Sequence, residues 1–457
     1  MSLKTHRFHC YCLLLITGLV FFLSLPALAI PPAERVTLKN GLRLVISSDH
    51  SLPFVTFQMI IDGGSRLDPR GREGLSYITA KGLLHGTPDK TAQQINHALD
   101  FMGASLLSSS SSDYISISLR ILKKDIDKGF SLFMGAVTQP VFPEDEFRHE
   151  VQKALGMIKS REEDPGTFAD MEFQKSLFGT APYAHPVTGT EESISVLTRT
   201  DVESFHNTHI RPNNAILVIA GDITLKEIRQ GLMKRLETWE AKAAAVSSFE
   251  LTPVSGIRIL TADRSITQAN IVLGNAGPPR NNPDFFPMVV MNYILGGGGF
   301  SSRLFTEVRE KRGLAYSIYS SFEFWKYAGS FTVSLQTKNS SAREAISVIL
   351  EQMRKIQKEP VSDRELDGAH RYLTGSFPLR LDTQAKIAGF LARIEFYGLG
   401  EDYGENYASR IRAVTKDDIR RVALKYLQPE NYVLSVVANL TQAGFEGEEQ
   451  QSNQISD

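Results

Sequence analysis

The sequence predicts an α+β protein built from two copies of one domain. Three observations carry this reading. Strand-like and helical stretches follow one another from residue 35 onward. Residues 198–224, TRTDVESFHNTHIRPNNAILVIAGDIT, and 415–441, TKDDIRRVALKYLQPENYVLSVVANLT, align at a constant offset of 217. Between the copies lies an Ala/Ser-rich stretch, Ala241–Ser247. The chain has 457 residues, enough for two sizeable cores. Its 42% hydrophobic and 22% charged content is that of a soluble globular protein. A formal net charge of −1 gives no electrostatic case for nucleic acid or an anionic membrane.

The first element reads as a secretory signal, residues 1–29. Lys4 and Arg7 precede an apolar run from about Tyr11 to Leu25, and Ala27-Leu28-Ala29 supplies a small-x-small cleavage pattern. The alternative is a retained anchor, but the run falls short of the roughly 20 residues a bilayer span needs. Cys10 and Cys12 both lie in this segment, so a mature chain cleaved near Ala29 has no cysteine and no disulfide. Neither cysteine follows the apolar run, which argues against a lipid-modified N-terminus. Losing Lys4 and Arg7 leaves 48 basic against 51 acidic residues, a net charge of −3. The expectation is export to a bacterial periplasm, with no stable membrane anchor after cleavage.

Arg35–Ile46 reads as two strands about an Asn40-Gly41 turn. Phe54–Ile61 is a third strand, ended by Asp62-Gly63-Gly64. Helical spacing begins near Gly74 and recurs over Ala92–Met102, and alternation marks a strand from Tyr114 to Leu119. This order fits helices layered on sheets. Each copy of the repeat reads as a capped helix, a Pro-Asn break and a buried strand of about seven residues. Thr198 matches Thr415, Asp201 matches Asp418, Pro212 matches Pro429 and Asn214 matches Asn431. The domains are placed at 30–240 and 257–445, with a linker at 241–256. Residues 446–457 are polar and acidic and are expected to be disordered.

A strand ending in Asp62-Gly63-Gly64-Ser65-Arg66, then Gly74-Leu75, then a helix closing on Gly86-Thr87 resembles the insulinase/pitrilysin family of zinc peptidases, often called M16. In that family the helix carries His-x-x-Glu-His. Two histidines four apart share one helix face and bind zinc, and the glutamate polarises the attacking water. Anchored on Gly74-Leu75 and Gly86-Thr87, Tyr77 and Lys81 occupy the histidine positions and Ala80 that of the base. The third ligand, a glutamate about 77 positions on, falls on Met157, 76 residues after Lys81. The family's earlier glutamate is retained as Glu150, and Arg161-Glu162-Glu163-Asp164-Pro165 continues the pattern. Tyrosine, lysine, methionine and alanine do not make a zinc site. The resemblance therefore implies no metal in this chain; Tyr77, Lys81 and Met157 are read as filling the space vacated by metal and water, with a Lys81–Glu150 ion pair there as the alternative. His206 and His209, three apart on a helix, lack a third ligand of suitable spacing and are expected to be solvated or capping.

In the second copy, LGGGGFSSRLF (295–305) leads into TEVREKRGLAYS (306–317). No Walker or dinucleotide spacing supports a phosphate loop, so the glycines serve close packing or movement. This segment resembles the family more closely than the first. In active members an arginine and a tyrosine seven residues apart face the zinc and hold the substrate backbone near the scissile bond. Arg309 and Tyr316 match that pair. A guanidinium and a phenol suit a peptide carbonyl and its developing oxyanion. The bland alternative is that Arg309 pairs with a local carboxylate and Tyr316 is a half-buried strand residue.

The resemblance spans about Arg35 to Leu440. It implies two homologous domains, each a mainly antiparallel sheet layered with helices, M16 peptidase-like (LuxS/metallohydrolase-like). It also implies a chamber closed by two chains, in which an extended peptide adds to a sheet edge. Leu107, Ser108 and Ser109 match the segment offering that edge. Leu107-Ser108 replaces the Asn-Ala often found there, and the serine run read alone is a flexible loop. The family includes two-chain enzymes in which one subunit holds zinc and the other the Arg/Tyr pair. This sequence looks like the second kind, so its expected partners are a zinc-bearing homologue and a peptide or unfolded-protein substrate. A non-proteolytic scaffold and a stand-alone peptide-binding protein are the rivals. No Ser/His/Asp elbow or mature cysteine supports other hydrolytic chemistry.

Overall fold

The computed structural model describes residues 32–242 and 255–447. The signal segment, most of the 241–256 linker and nearly all of the tail lie outside these residues. The expectations placed on them are therefore not addressed by the fold.

Six strands form the first sheet: β1 (Ala33–Thr37), β2 (Arg43–Ser48), β3 (Phe54–Ile61), β4 (Ser105–Ser110), β5 (Ile115–Leu122) and β6 (Ala215–Gly221). Their order is β1-β2-β6-β3-β5-β4. Five strands form the second: β7 (Arg258–Asp263), β8 (Gln268–Gly277), β9 (Ala315–Phe324), β10 (Gly329–Lys338) and β11 (Val433–Ala438), in the order β9-β10-β8-β11-β7. The second order repeats the first, β4-β5-β3-β6-β2, strand for strand. Both sheets have one parallel pair, β2 with β6 and β7 with β11, and are otherwise antiparallel. The first copy merely adds β1 at its edge. Thus the fold is α+β, two-domain and mainly antiparallel.

The repeat explains this equivalence at residue level. Thr198 and Thr415 each cap a helix, Arg199–His209 and Lys416–Tyr426, through capping boxes with Asp201 and Asp418. Each helix leads to a wholly buried central strand, β6 or β11.

Those strands are apolar on both faces because both faces are covered. Leu217 and Ile219 of β6 pack in the first copy's own core, whereas Ile216, Val218 and Ala220 face Ile387, Ala388 and Leu391. These partners belong to the helix Gln384–Tyr397, which comes from the second copy. Reciprocally, Ala169, Phe173 and Leu177 of the helix Pro165–Phe178 pack on Val272 of β8 and Val433 and Val437 of β11. Each copy therefore covers the other's sheet with a helix.

A buried polar knot adds to the join. Asp113, 1% exposed, accepts hydrogen bonds from Tyr183 Oη (2.6 Å), Tyr397 Oη (3.0 Å) and the Lys326 amide (2.9 Å). Lys326 and Arg66 both pair with Asp62. A Cβ on Gly64 would overlap the Asp113–Tyr114 backbone, which accounts for glycine in the Asp62–Arg66 motif.

Candidate functional site

Tyr77, Ala80 and Lys81 lie on a helix that runs over Leu75–Gly82. It starts where the Asp68 carboxylate accepts the amides of Gly74 and Ser76, both at 2.8 Å, an acceptor placed at the positive end of the helix. The helix stops short of Gly86-Thr87, where it was expected to close. Phe142 packs directly on Gly82, and Gly86–Thr87 instead pairs with Lys90–Thr91 in a short ribbon.

Met157 and Glu150 lie on the facing helix Glu144–Glu163. Tyr77, Lys81, Glu150 and Met157 together border one open depression of about 540 Å³, so the substituted positions do converge. Their chemistry does not suit a divalent metal. The Tyr77 hydroxyl sits 3.8 Å from Met157 Sδ, and Lys81 Nζ lies 5.5 Å from the centre of the Tyr77 ring. Burial, then the Glu150 charge, push the Tyr77 phenol above its usual value, away from the phenolate a metal would want. Ala80 is wholly buried in the core, and its methyl group can neither accept a proton nor polarise a water. Among the described residues no group of three or more His, Cys, Asp or Glu is placed to hold a metal. Zinc does not fit this donor set.

The alternative Lys81–Glu150 ion pair is not formed among the described residues. Glu150, 6% exposed, instead binds Lys153 Nζ at 2.7 Å and lies 3.6 Å from His85 Nε2. Lys153 is on the same helix one turn away, so the pair forms locally, while Lys81 turns to the Tyr77 ring. His206 also departs from expectation. It is buried, neither solvated nor capping, with Nε2 2.8 Å from the Val137 carbonyl. His209 is half-buried beside Phe205.

Arg309 and Tyr316 are brought together in the second copy. Arg309 sits in a π-helical turn, Phe305–Glu310, in which Lys311 N bonds Thr306 O at 3.0 Å. Such turns recur at functional positions. The neighbouring turn Tyr293–Gly297 is also π-helical. There a Cβ on Gly296 would strike Ser320 of β9, so this glycine serves close packing, as the sequence suggested. Tyr316 follows at the start of β9, where a bulge leaves it without a partner: Ala315 pairs Thr337 and Ser317 pairs Gln336. A bulge re-aims a side chain, and Tyr316 is 82% exposed. Val308 and Leu314, both buried, hold the segment on the core.

The Arg309 guanidinium carbon lies 4.6 Å from the Tyr316 ring centre, 4.7 Å from Phe305 and 5.8 Å from Phe300. No carboxylate pairs with it among the described residues. The nearby Glu307 is taken by Lys311 and Arg312. Both halves of the bland alternative therefore fail: Arg309 is not locally paired and Tyr316 is not half-buried. Aromatic faces hold the guanidinium without consuming its N–H donors.

Leu107, Ser108 and Ser109 lie on β4, an ordered strand pairing with β5 on one side and open on the other. Leu107 is 63% exposed, and Ser108–Ser110 of the serine run are strand, while Ser111 and Ser112 lie in the turn to β5.

Residues 43–191 match Insulinase (Peptidase family M16), and residues 197–373 match the Peptidase M16 inactive domain. The chain belongs to the M16 peptidase family. A Streptomyces coelicolor protein named as an uncharacterized zinc protease is 28% identical to this M16 chain over 396 residues, 85% of this chain and 86% of the relative. A Helicobacter pylori protein named as a non-peptidase homolog is 24% identical over 398 residues, covering 87% and 91%. The crystal structure of a peptidase M16 inactive domain from Pseudomonas fluorescens superposes with a TM-score of 0.84 at 26% identity, covering 89% of this chain and 98% of that one.

Proposed function

We propose that this M16 chain is the non-zinc subunit of a two-chain peptidase, exported to the periplasm. It supplies Arg309 and Tyr316 to substrate held at the zinc of a homologous partner. The observation that carries this reading is the unpaired Arg309 guanidinium, boxed by aromatic rings beside an exposed tyrosine on a bulge. A guanidinium with open donors and a phenol 4.6 Å away can both donate to a scissile carbonyl and stabilise the oxyanion that forms from it. An extended peptide is read as adding along β4, past Leu107, Ser108 and Ser109, with main-chain hydrogen bonds supplying affinity. The name of the Helicobacter relative and the inactive-domain match support a chain that does not cleave alone. The zinc and its activated water belong, in this reading, to the partner.

The test is a peptidase assay of this chain, of a zinc-bearing M16 homologue from the same bacterium, and of their mixture. Activity should appear, or rise at least tenfold, only in the mixture. Full activity of the homologue alone, unchanged by adding this chain, would exclude the role.

A further inference from the structure

We propose that the second copy carries a binding site for a small organic anion with an apolar body, a carboxylate or phosphate head on an aliphatic or aromatic chain. The site is separate from the Tyr77–Met157 depression and from Arg309. It is a cavity of about 350 Å³, within the size range of ligand pockets. Phe285, Phe324, Phe377 and Phe390 supply apolar walls, and Arg280, Arg380 and Arg393 supply three guanidinium groups, with no carboxylate in the lining.

The charge is uncompensated. None of the three arginines forms an ion pair among the described residues, whereas Arg410 pairs with Asp402 and Arg421 with Asp284. Arg280 is held rigidly, its guanidinium 3.6 Å from the Phe285 ring centre and donating to Tyr403 Oη at 2.7 Å. Arg380 and Arg393 are exposed and complete a positive rim. A second observation points to a ligand. Tyr407 lines the cavity and is 2% exposed; Arg380 can approach its oxygen only as a donor, and the O–H itself finds no acceptor among the described residues. Buried hydroxyls are ordinarily satisfied, and an anionic oxygen would accept this one. Guanidinium groups bind carboxylate and phosphate through paired N–H donors, and the phenylalanine walls take the chain.

The site also has a structural consequence. Phe390, Arg393, Ile394 and Tyr397 reach it from the helix Gln384–Tyr397. The opposite face of that helix covers the first copy's sheet, and Tyr397 holds Asp113. A bound anion would tighten the contact between the two copies.

The test is calorimetric titration of the full mature chain with decanoate, decyl phosphate, inorganic phosphate and decylamine. Saturable binding near one decanoate or decyl phosphate per chain, with decylamine not binding, is expected. The Arg380→Gln/Arg393→Gln double variant, at exposed positions, should bind at least tenfold more weakly while keeping its circular dichroism and melting temperature. Tyr407→Phe should weaken binding severalfold. Absence of saturable decanoate and decyl phosphate binding, or undiminished binding in the arginine variant, would overturn the site. Inorganic phosphate binding as tightly as decanoate would overturn the apolar body.

Discussion

The guanidinium of Arg309 stacks on the ring of Tyr316, 4.6 Å from its centre, at the point where a bulge releases Tyr316 from the β9–β10 ladder. Neither residue is buried and neither holds the fold together by an ion pair. An arginine kept free of carboxylates beside an exposed phenol is costly to explain by stability and simple to explain by contact with something else.

It follows that Tyr316→Phe and Arg309→Ala leave folding nearly unchanged. Substitutions away from buried or paired groups shift stability by about 0.5 kcal/mol or less. Urea unfolding of the two variants should give midpoints close to that of the parent chain. A loss above about 2 kcal/mol in either would assign the pair to the fold.

Metal content follows from the donor set at the Tyr77–Met157 depression. The purified chain should carry well under one zinc per molecule by plasma mass spectrometry. The variant Tyr77→His/Lys81→His/Met157→Glu restores three nitrogen and oxygen ligands of the kind catalytic zinc takes. Because the three positions border one depression, it should take up about one zinc. Stoichiometric zinc in the parent chain would mean that the alignment of these positions is wrong.

Asp113 ties the two copies together from a fully buried position. Truncating one member of a buried charged network costs about 3–5 kcal/mol, because its partners remain desolvated. Asp113→Ala should therefore lower stability by about that amount in denaturant unfolding. A change under about 1 kcal/mol would show that the apolar helix exchange suffices.

Histidine burial sets a pH dependence. Burial, then the Arg66 charge, hold His209 down to about 4, and burial holds His206 below its usual value against its bond to the Val137 carbonyl. An unfolded histidine titrates near pH 6.5. Between about pH 6.5 and 4 the unfolded histidines take up protons that the native ones refuse, so their contribution to stability is lost as pH falls through this window. Asp68, which burial raises to about 8, acts in the opposite direction over the same range. Asp284 and Glu365 are each desolvated, which alone would raise them. Their hydrogen bonds, led by Arg421 and Arg303 respectively, win and hold both carboxyls near 2, so their contribution is lost only below about pH 4. His209→Gln should remove this histidine's share, so that on going from pH 6.5 to 4 its urea midpoint falls less, or rises more, than that of the parent, with the acid limb unchanged. An unchanged slope would reassign it.

Much of this was legible where the signal is local. The Thr198 and Thr415 caps, the Pro-Asn breaks and the seven-residue apolar runs specify equivalent helix–strand units, and the two sheets repeat each other accordingly. The register from Lys81 to Met157 also placed those side chains around one depression. What was not legible depends on distant partners. The helix after Gly74 ends at Gly82, where Phe142, 60 residues on, packs against it, and the chain turns into the Gly86–Thr87 ribbon. His206 looked like a surface residue of a polar helix until the Val137 carbonyl supplied its partner. The exchange of the Pro165–Phe178 and Gln384–Tyr397 helices leaves no local trace, since each helix shows only an apolar face and not which sheet it covers. The serine run of β4 reads as loop or strand until its pairing with β5 is seen.

The central claim is that Arg309 and Tyr316 act on a substrate held by another chain. Its most direct test is the kcat/KM of the two-chain mixture assembled with parent chain and with Arg309→Ala/Tyr316→Phe, complex formation being checked by size-exclusion chromatography. Removing one transition-state donor costs about 10²–10³-fold. The account predicts a loss of at least about 100-fold with the complex intact. Undiminished kcat/KM in an intact complex would contradict it.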